Sequence, residues 1–183
     1  EIDPLLRACG LGVTYNIGTS IVYQPVSTGF ESVTVWIYLD GMIHKINGCR
    51  GNAEFVLDGG EIPVVNFNMT GLWSIPVDGS IVAPTLDSNK PTKVAGATFT
   101  IGGYAAINKG MQIDLGNVVS NRMSVIETYD VAQIDIVDRD VRASFEPEAV
   151  VEATNSYWAD MIANTENALS FQWGSAGDTI LIT

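Results

Sequence analysis

Apolar and polar residues alternate with a period of two through most of the chain, which predicts strands rather than helices. Ile21-Val22-Tyr23-Gln24-Pro25 reads as a short strand and Ser32 to Leu39 as a strong one. Asp40-Gly41 joins the latter to a second alternating run, Met42 to Asn47. That dipeptide predicts a hairpin, because both central residues of a type I′ turn need positive φ. Beyond Gly48 and Gly51 the alternation resumes from Ala53 to Leu57, and Asp58-Gly59-Gly60 turns the chain into Ile62 to Thr70. There Val65, Phe67 and Met69 oppose Asn66, Asn68 and Thr70, so this strand has one dry and one wet face. Further strands are expected at Ala97 to Ile101, Gly103 to Asn108, Met111 to Leu115, Ala132 to Asp138, Val141 to Phe145, Ala168 to Trp173 and Thr179 to Ile182.

Two segments read as helical. Asp3-Pro4-Leu5-Leu6-Arg7-Ala8-Cys9-Gly10 has an N-cap candidate in Asp3, a proline at the first helical position and a glycine stop. A longer helix is expected from Pro147, with Glu146, Glu148 and Glu152 at its start and Val150, Val151, Thr154, Tyr157, Trp158, Met161 and Ile162 on one buried face. From Trp73 to Val94 the pattern fails and prolines recur, predicting a long loop of a length that is often functional. The expected architecture is mainly β: one antiparallel β-sandwich or barrel-like domain over residues 1–183, with one packed α-helix.

Composition narrows the functions available. The 183 residues carry 21 acids against 9 bases, a net charge of −12, which disfavours gripping nucleic acid through phosphates. Charged residues are only 16% of the chain, below the roughly 25% usual in soluble domains. A surface short of charge points to area reserved for other subunits. No run of about 18 apolar residues occurs, so no membrane-spanning helix and no membrane binding are expected. Eleven acids and two bases lie between Glu127 and Asp178, a net of −9, against −3 for the first 126 residues. The chain begins at Glu1 rather than Met, so a trimmed natural start is expected.

Candidate chemistry is sparse. His44, the one histidine, sits mid-strand without a nucleophile beside it, and no GxSxG elbow occurs. One histidine and two distant cysteines do not make a zinc site, so no metal or cofactor is expected. Cys9 and Cys49 read as buried free thiols, with pairing left open. Asp135, Asp138 and Asp140 form a carboxylate cluster, but Asp138-Arg139-Asp140 is better explained by a turn between two strands, and Asp87-Ser88-Asn89 begins like a calcium loop that Pro91 breaks. Trp36 and Trp158 read as core; Trp73, opening the loop, reads as exposed.

The order of several short blocks is informative. Pro4-Leu5-Leu6-Arg7-Ala8-Cys9-Gly10, Tyr23-Gln24-Pro25-Val26-Ser27, Gly29-Phe30-Glu31-Ser32-Val33-Thr34, Leu39-Asp40-Gly41 with Ile43-His44-Lys45, and Gly48-Cys49-Arg50-Gly51 follow one another. Phe67-Asn68-Met69-Thr70-Gly71-Leu72, Asp114-Leu115-Gly116-Asn117 and Asp138-Arg139 continue the series. In this order the chain resembles the tail tube (major tail) proteins of long-tailed bacteriophages and prophages, from about Pro4 to Phe171, without the N-terminal part usual in that family.

The resemblance implies a structural, non-enzymatic subunit of the virion tail, made in the bacterial cytoplasm. It implies partners in copies of itself, as stacked homohexameric rings, and in other tail proteins. DNA would be only a transient cargo in an acidic lumen. Glu54, Asp58 and Glu61, with the polar strand face of Asn66 and Asn68, are then the lumen-lining candidates. Two other readings compete: a monomeric β-sandwich module binding carbohydrate or a surface ligand through the Trp73–Val94 loop, and a hydrolase built on two carboxylates, for which no pair stands out.

Overall fold

A computed structural model describes residues 2–85, 91–175 and 178–182. In chain order the elements are α1 (Asp3–Ala8), β1 (Leu11–Asn16), β2 (Ser20–Pro25), β3 (Val33–Leu39), β4 (Met42–Asp58), β5 (Val64–Trp73), β6 (Val77–Asp78), β7 (Thr98–Ile101), β8 (Tyr104–Ala105), β9 (Asn108–Asp114), β10 (Asn117–Met123), β11 (Val131–Arg139), β12 (Arg142–Pro147), α2 (Tyr157–Ala163), β13 (Leu169–Ser175) and β14 (Asp178–Ile182). The fold is mainly β with antiparallel sheets, as the alternation predicts. The chain divides into two compact units.

The first unit comprises Glu1–Glu54, Asn66–Ser88 and Asp114–Arg142. Helix α1 ends where Gly10 (φ 77°) takes the left-handed conformation, the stop its sequence predicts. Asp3 is not its cap: the cap position is Ile2, and the Asp3 carboxylate accepts the hydroxyls of Tyr23 (2.7 Å) and Tyr15 (3.2 Å) instead. Strands β1 and β2 form one two-stranded hairpin, and β10 and β11 another. β3 pairs with β4 through the expected turn, in which Asp40 and Gly41 both have positive φ (33° and 86°). β5 and β6 also pair with β4. The buried side chains of this unit are small or slender: Leu6, Ala8, Cys9, Leu11, Cys49, Ala53, Leu115, Ile134 and Ile136.

The second unit comprises Phe55–Val65, Asn89–Ile113 and Ala143–Thr183. One of its sheets has the order β14-β13-β7-β8. Its core is bulkier, with Leu57, Val94, Phe99, Met111, Phe171 and Trp173 in one cluster, and the Trp173 indole N–H donates to the Lys93 carbonyl (3.0 Å).

Several elements differ from the sequence pattern. The two strands expected on either side of Gly48 are one seventeen-residue strand, β4, because Gly48 absorbs the irregularity at φ 58° without ending the pairing. β1, β10 and the short β6 were not signalled. The helix expected from Pro147 is confined to α2, seven residues long, and Pro147 instead ends β12. β-branched Val150, Val151 and Thr154, followed by Asn155-Ser156, disfavour helix in that stretch, and a turn closes there as Thr154 N–H donates to the Val151 carbonyl. Trp158, expected in the core, is 68% exposed; Trp36 is 49% exposed, with the Lys45 ammonium 5.0 Å above its ring.

Candidate functional site

The lumen-lining candidates fall into two groups. In the first unit, β5 alternates as predicted: Asn66, Asn68 and Thr70 are exposed while Val65, Phe67 and Met69 are half-buried. Asn66 donates its amide to Glu54 on β4 (3.1 Å), so these two candidates share a sheet face, with Asn68 two residues further along it. In the second unit, Asp58 and Glu61 are exposed in one turn, the Glu61 N–H donating to the Asp58 carbonyl (3.1 Å). The middle of β5 thus offers two amides and a hydroxyl, with a carboxylate beside them, while its exposed ends are Val64 and Trp73.

Two arginines missed as site residues organise the first unit. Arg139 Nη2 donates to the Gly10 carbonyl (2.8 Å), Nη1 to the Val26 carbonyl (3.4 Å) and Nε to the Asn117 side-chain oxygen (2.8 Å). The Asn117 amide donates to the carbonyls of Cys9 (2.7 Å) and Gly51 (3.0 Å). Gly10 has the positive φ that favours glycine, and a Cβ there would push the Arg139 guanidinium off its place. Arg50 donates to the carbonyls of Phe30, Glu31 and Ile134 and pairs with Asp135 (3.0 Å). Asn52 donates to Asp114, which also accepts the Gly116 N–H, and these bonds hold the Asp114 carboxyl below its usual range.

Six of the eight blocks that carry the sequence resemblance therefore meet in one polar node; Leu39-Asp40-Gly41 with Ile43-His44-Lys45 and Phe67 to Leu72 take no part in it. It is a fastening, since most of its acceptors are backbone carbonyls. Signals for it existed in Gly-Cys-Arg-Gly, Asp-Leu-Gly-Asn and Asp-Arg, but alternation assigns no partner to any of them.

Other candidates have structural partners. Asp135 serves Arg50 and Gln133, Asp138 accepts the Arg139 N–H, and Asp140 binds Arg142, in keeping with the turn read between β11 and β12. Cys9 and Cys49 are free and buried, and burial pushes the Cys9 thiol up to about 11. Trp73 is exposed as expected, at the end of β5 with its ring edge-on to Tyr129 (5.3 Å between centroids). Of the Trp73–Val94 loop, residues 86–90, and with them Asp87-Ser88-Asn89, lie outside the described residues. Among the described residues, no three of His, Cys, Asp and Glu gather where they could hold a metal ion. No described helix is long and apolar enough to cross a membrane.

A β framework fastened by carbonyl-bound arginines, with a polar strand face, has the features of a structural subunit. Residues 6–183 match the family model of phage tail tube proteins, and the chain belongs to that family. No curated protein and no solved structure matches it. Membership makes it a structural component of the virion tail, which assembles with itself and with other tail proteins. A structural family points to a non-enzymatic role.

Proposed function

We propose that this subunit forms hexameric rings that stack into a tube, and that DNA passes through the tube as transient cargo. Residues 1–183 act in this reading as one tail-tube-like domain. The face carrying Glu54, Asn66 and Asn68 lines the lumen, together with Asp58 and Glu61. The observation that carries the lumen assignment is the alternation of β5 from Val64 to Thr70, where exposed Asn66, Asn68 and Thr70 lie beside Glu54. A net charge of −12 supports it physically. Basic walls would hold DNA by releasing its counterions, whereas carboxylates repel the phosphates and neutral amides release no counterions.

Electron microscopy of the largest species from size exclusion tests the assembly. Six-fold rings or tubes with a central hole are expected, and a strict monomer at every concentration overturns the reading. Replacing Glu54, Asp58 and Glu61 together by Lys tests the lumen. Tubes so altered are expected to retain DNA and slow its passage, and unchanged passage removes these residues from the lumen.

A further inference from the structure

A groove of about 490 Å³ opens in the first unit, where the end of β5 meets the β10–β11 loop, within the usual size range of ligand sites. Trp73 and Tyr129 form an aromatic corner in it, 52% and 49% exposed, with their ring planes at 82°. Both supports are fixed. Trp73 ends β5, and Ser74 beside it donates its hydroxyl to the Lys45 carbonyl (2.7 Å). The loop bearing Tyr129 closes on itself as Ser124 N–H donates to the Asp130 carbonyl (2.9 Å).

The polar groups around this corner are Asn47 on β4, Asn121, which sits opposite Ile134 in the β10–β11 pair, and Glu127. Among the described residues, the Trp73 indole N–H, the Tyr129 hydroxyl, both amides and the Glu127 carboxylate have no hydrogen-bond partner in the protein. Asn47 is half-buried, and an amide partly withheld from water costs free energy unless something bonds to it. The inventory mixes donors with acceptors and includes no Lys or Arg. A phosphate takes donors alone and an ammonium acceptors alone, whereas a hydroxyl uses both. Two rings at right angles offer an apolar floor and wall to a compact ring rather than to an extended chain. A neutral sugar meets both requirements, with a C–H face to stack on an aromatic ring and a rim of hydroxyls. About 150 Å³ takes one benzene ring, so the groove has room for two pyranoses.

We infer that the Trp73–Tyr129 groove binds a neutral disaccharide-sized sugar, stacked on one of the two rings, with Asn47, Asn121 and Glu127 bonding its hydroxyls. The site is separate from the tube reading and stands whether or not the copies form rings.

Calorimetric titration of the chain with maltose, cellobiose, lactose and chitobiose tests it. At least one of them is expected to bind saturably, with a Kd of about 1 mM or below. Trp73→Ala should weaken that sugar at least about tenfold and Asn121→Ala about threefold, with circular dichroism confirming that each variant folds. Trp158→Ala, which removes an exposed tryptophan of the second unit, should leave binding unchanged. Failure of all four sugars at about 10 mM overturns the site, as does binding that survives Trp73→Ala. Burial of Trp73 on self-association, with no sugar bound by the dispersed chain, would assign the groove to a second copy instead.

Discussion

At the residue scale, Arg139 shows how distant segments are held with few side chains. Its guanidinium serves the carbonyls of Gly10 and Val26 and the side chain of Asn117, which in turn reaches Cys9 and Gly51. Burial lowers its pKa, yet it remains a cation, and hydrogen bonds from a charged donor are worth more than neutral ones. Arg139→Met should cost about 3 kcal/mol in urea unfolding, because partly buried acceptors lose their donor. Arg139→Lys should recover little, since one ammonium cannot fork to three acceptors. A loss below about 1 kcal/mol would mean that the carbonyls find other donors.

Cys9 provides a pH test at the same scale. Its folded pKa, about 11, stands above the ordinary thiol value of 9.0 because burial disfavours the thiolate. The folded state therefore keeps its proton longer than the unfolded chain does. Its contribution is intact below pH 9 and is lost as pH rises through about 11. Thermal melts between pH 8 and 11 should show this loss, and Cys9→Ala should reduce it by about 2 kcal/mol. An unchanged slope in the variant would assign the alkaline loss to other groups.

At the scale of elements, strand alternation was legible wherever one face is dry. β5 and the β3–β4 turn follow their sequences position by position. β4 did not, because Gly48-Cys49-Arg50-Gly51 looks like a break. Gly48 supplies a positive φ within the strand, and Gly51 serves close approach instead. A Cβ on Gly51 would lie 2.2 Å from the Asn68 carbonyl and 2.6 Å from Met69 Sδ. Gly51→Ala should therefore destabilise by about 2 kcal/mol, the range for forced overpacking, and a lower urea midpoint would show it. A neutral result would show that β5 can step back. α2 failed for the opposite reason: an apolar spacing was present, but β-branched residues and Asn-Ser held its first turns out of helix, and its apolar side chains are exposed.

For the whole molecule, exposed apolar positions and excess acid belong to one account. Trp158, Met161, Ile162, Val125 and Ile126 are all exposed in the single chain, more than an isolated soluble subunit usually shows, which suits a member of an assembling family. The charge-reversed lumen variant belongs at this scale. Its effect on DNA should weaken as salt rises, because the Debye length shrinks from about 10 Å at 0.1 M to about 3 Å at 1 M. A salt-independent effect would point to altered assembly rather than to charge along the DNA path.

The sequence by itself determined the mainly β class, the wet face of β5, the Asp40-Gly41 turn, the α1 stop and the family. Each depends on local spacing or on the order of short blocks, which the chain carries without folding. Only the tertiary structure decided that most of those blocks converge on Arg139 and Arg50, that Glu54 and Asn66 share a hydrogen bond, and that the Trp36 and Trp158 rings are exposed. The reason is physical: an arginine's acceptors are carbonyls up to 129 positions away in the chain, and a side chain's burial depends on what packs over it. Neither is written in the residue's own neighbourhood.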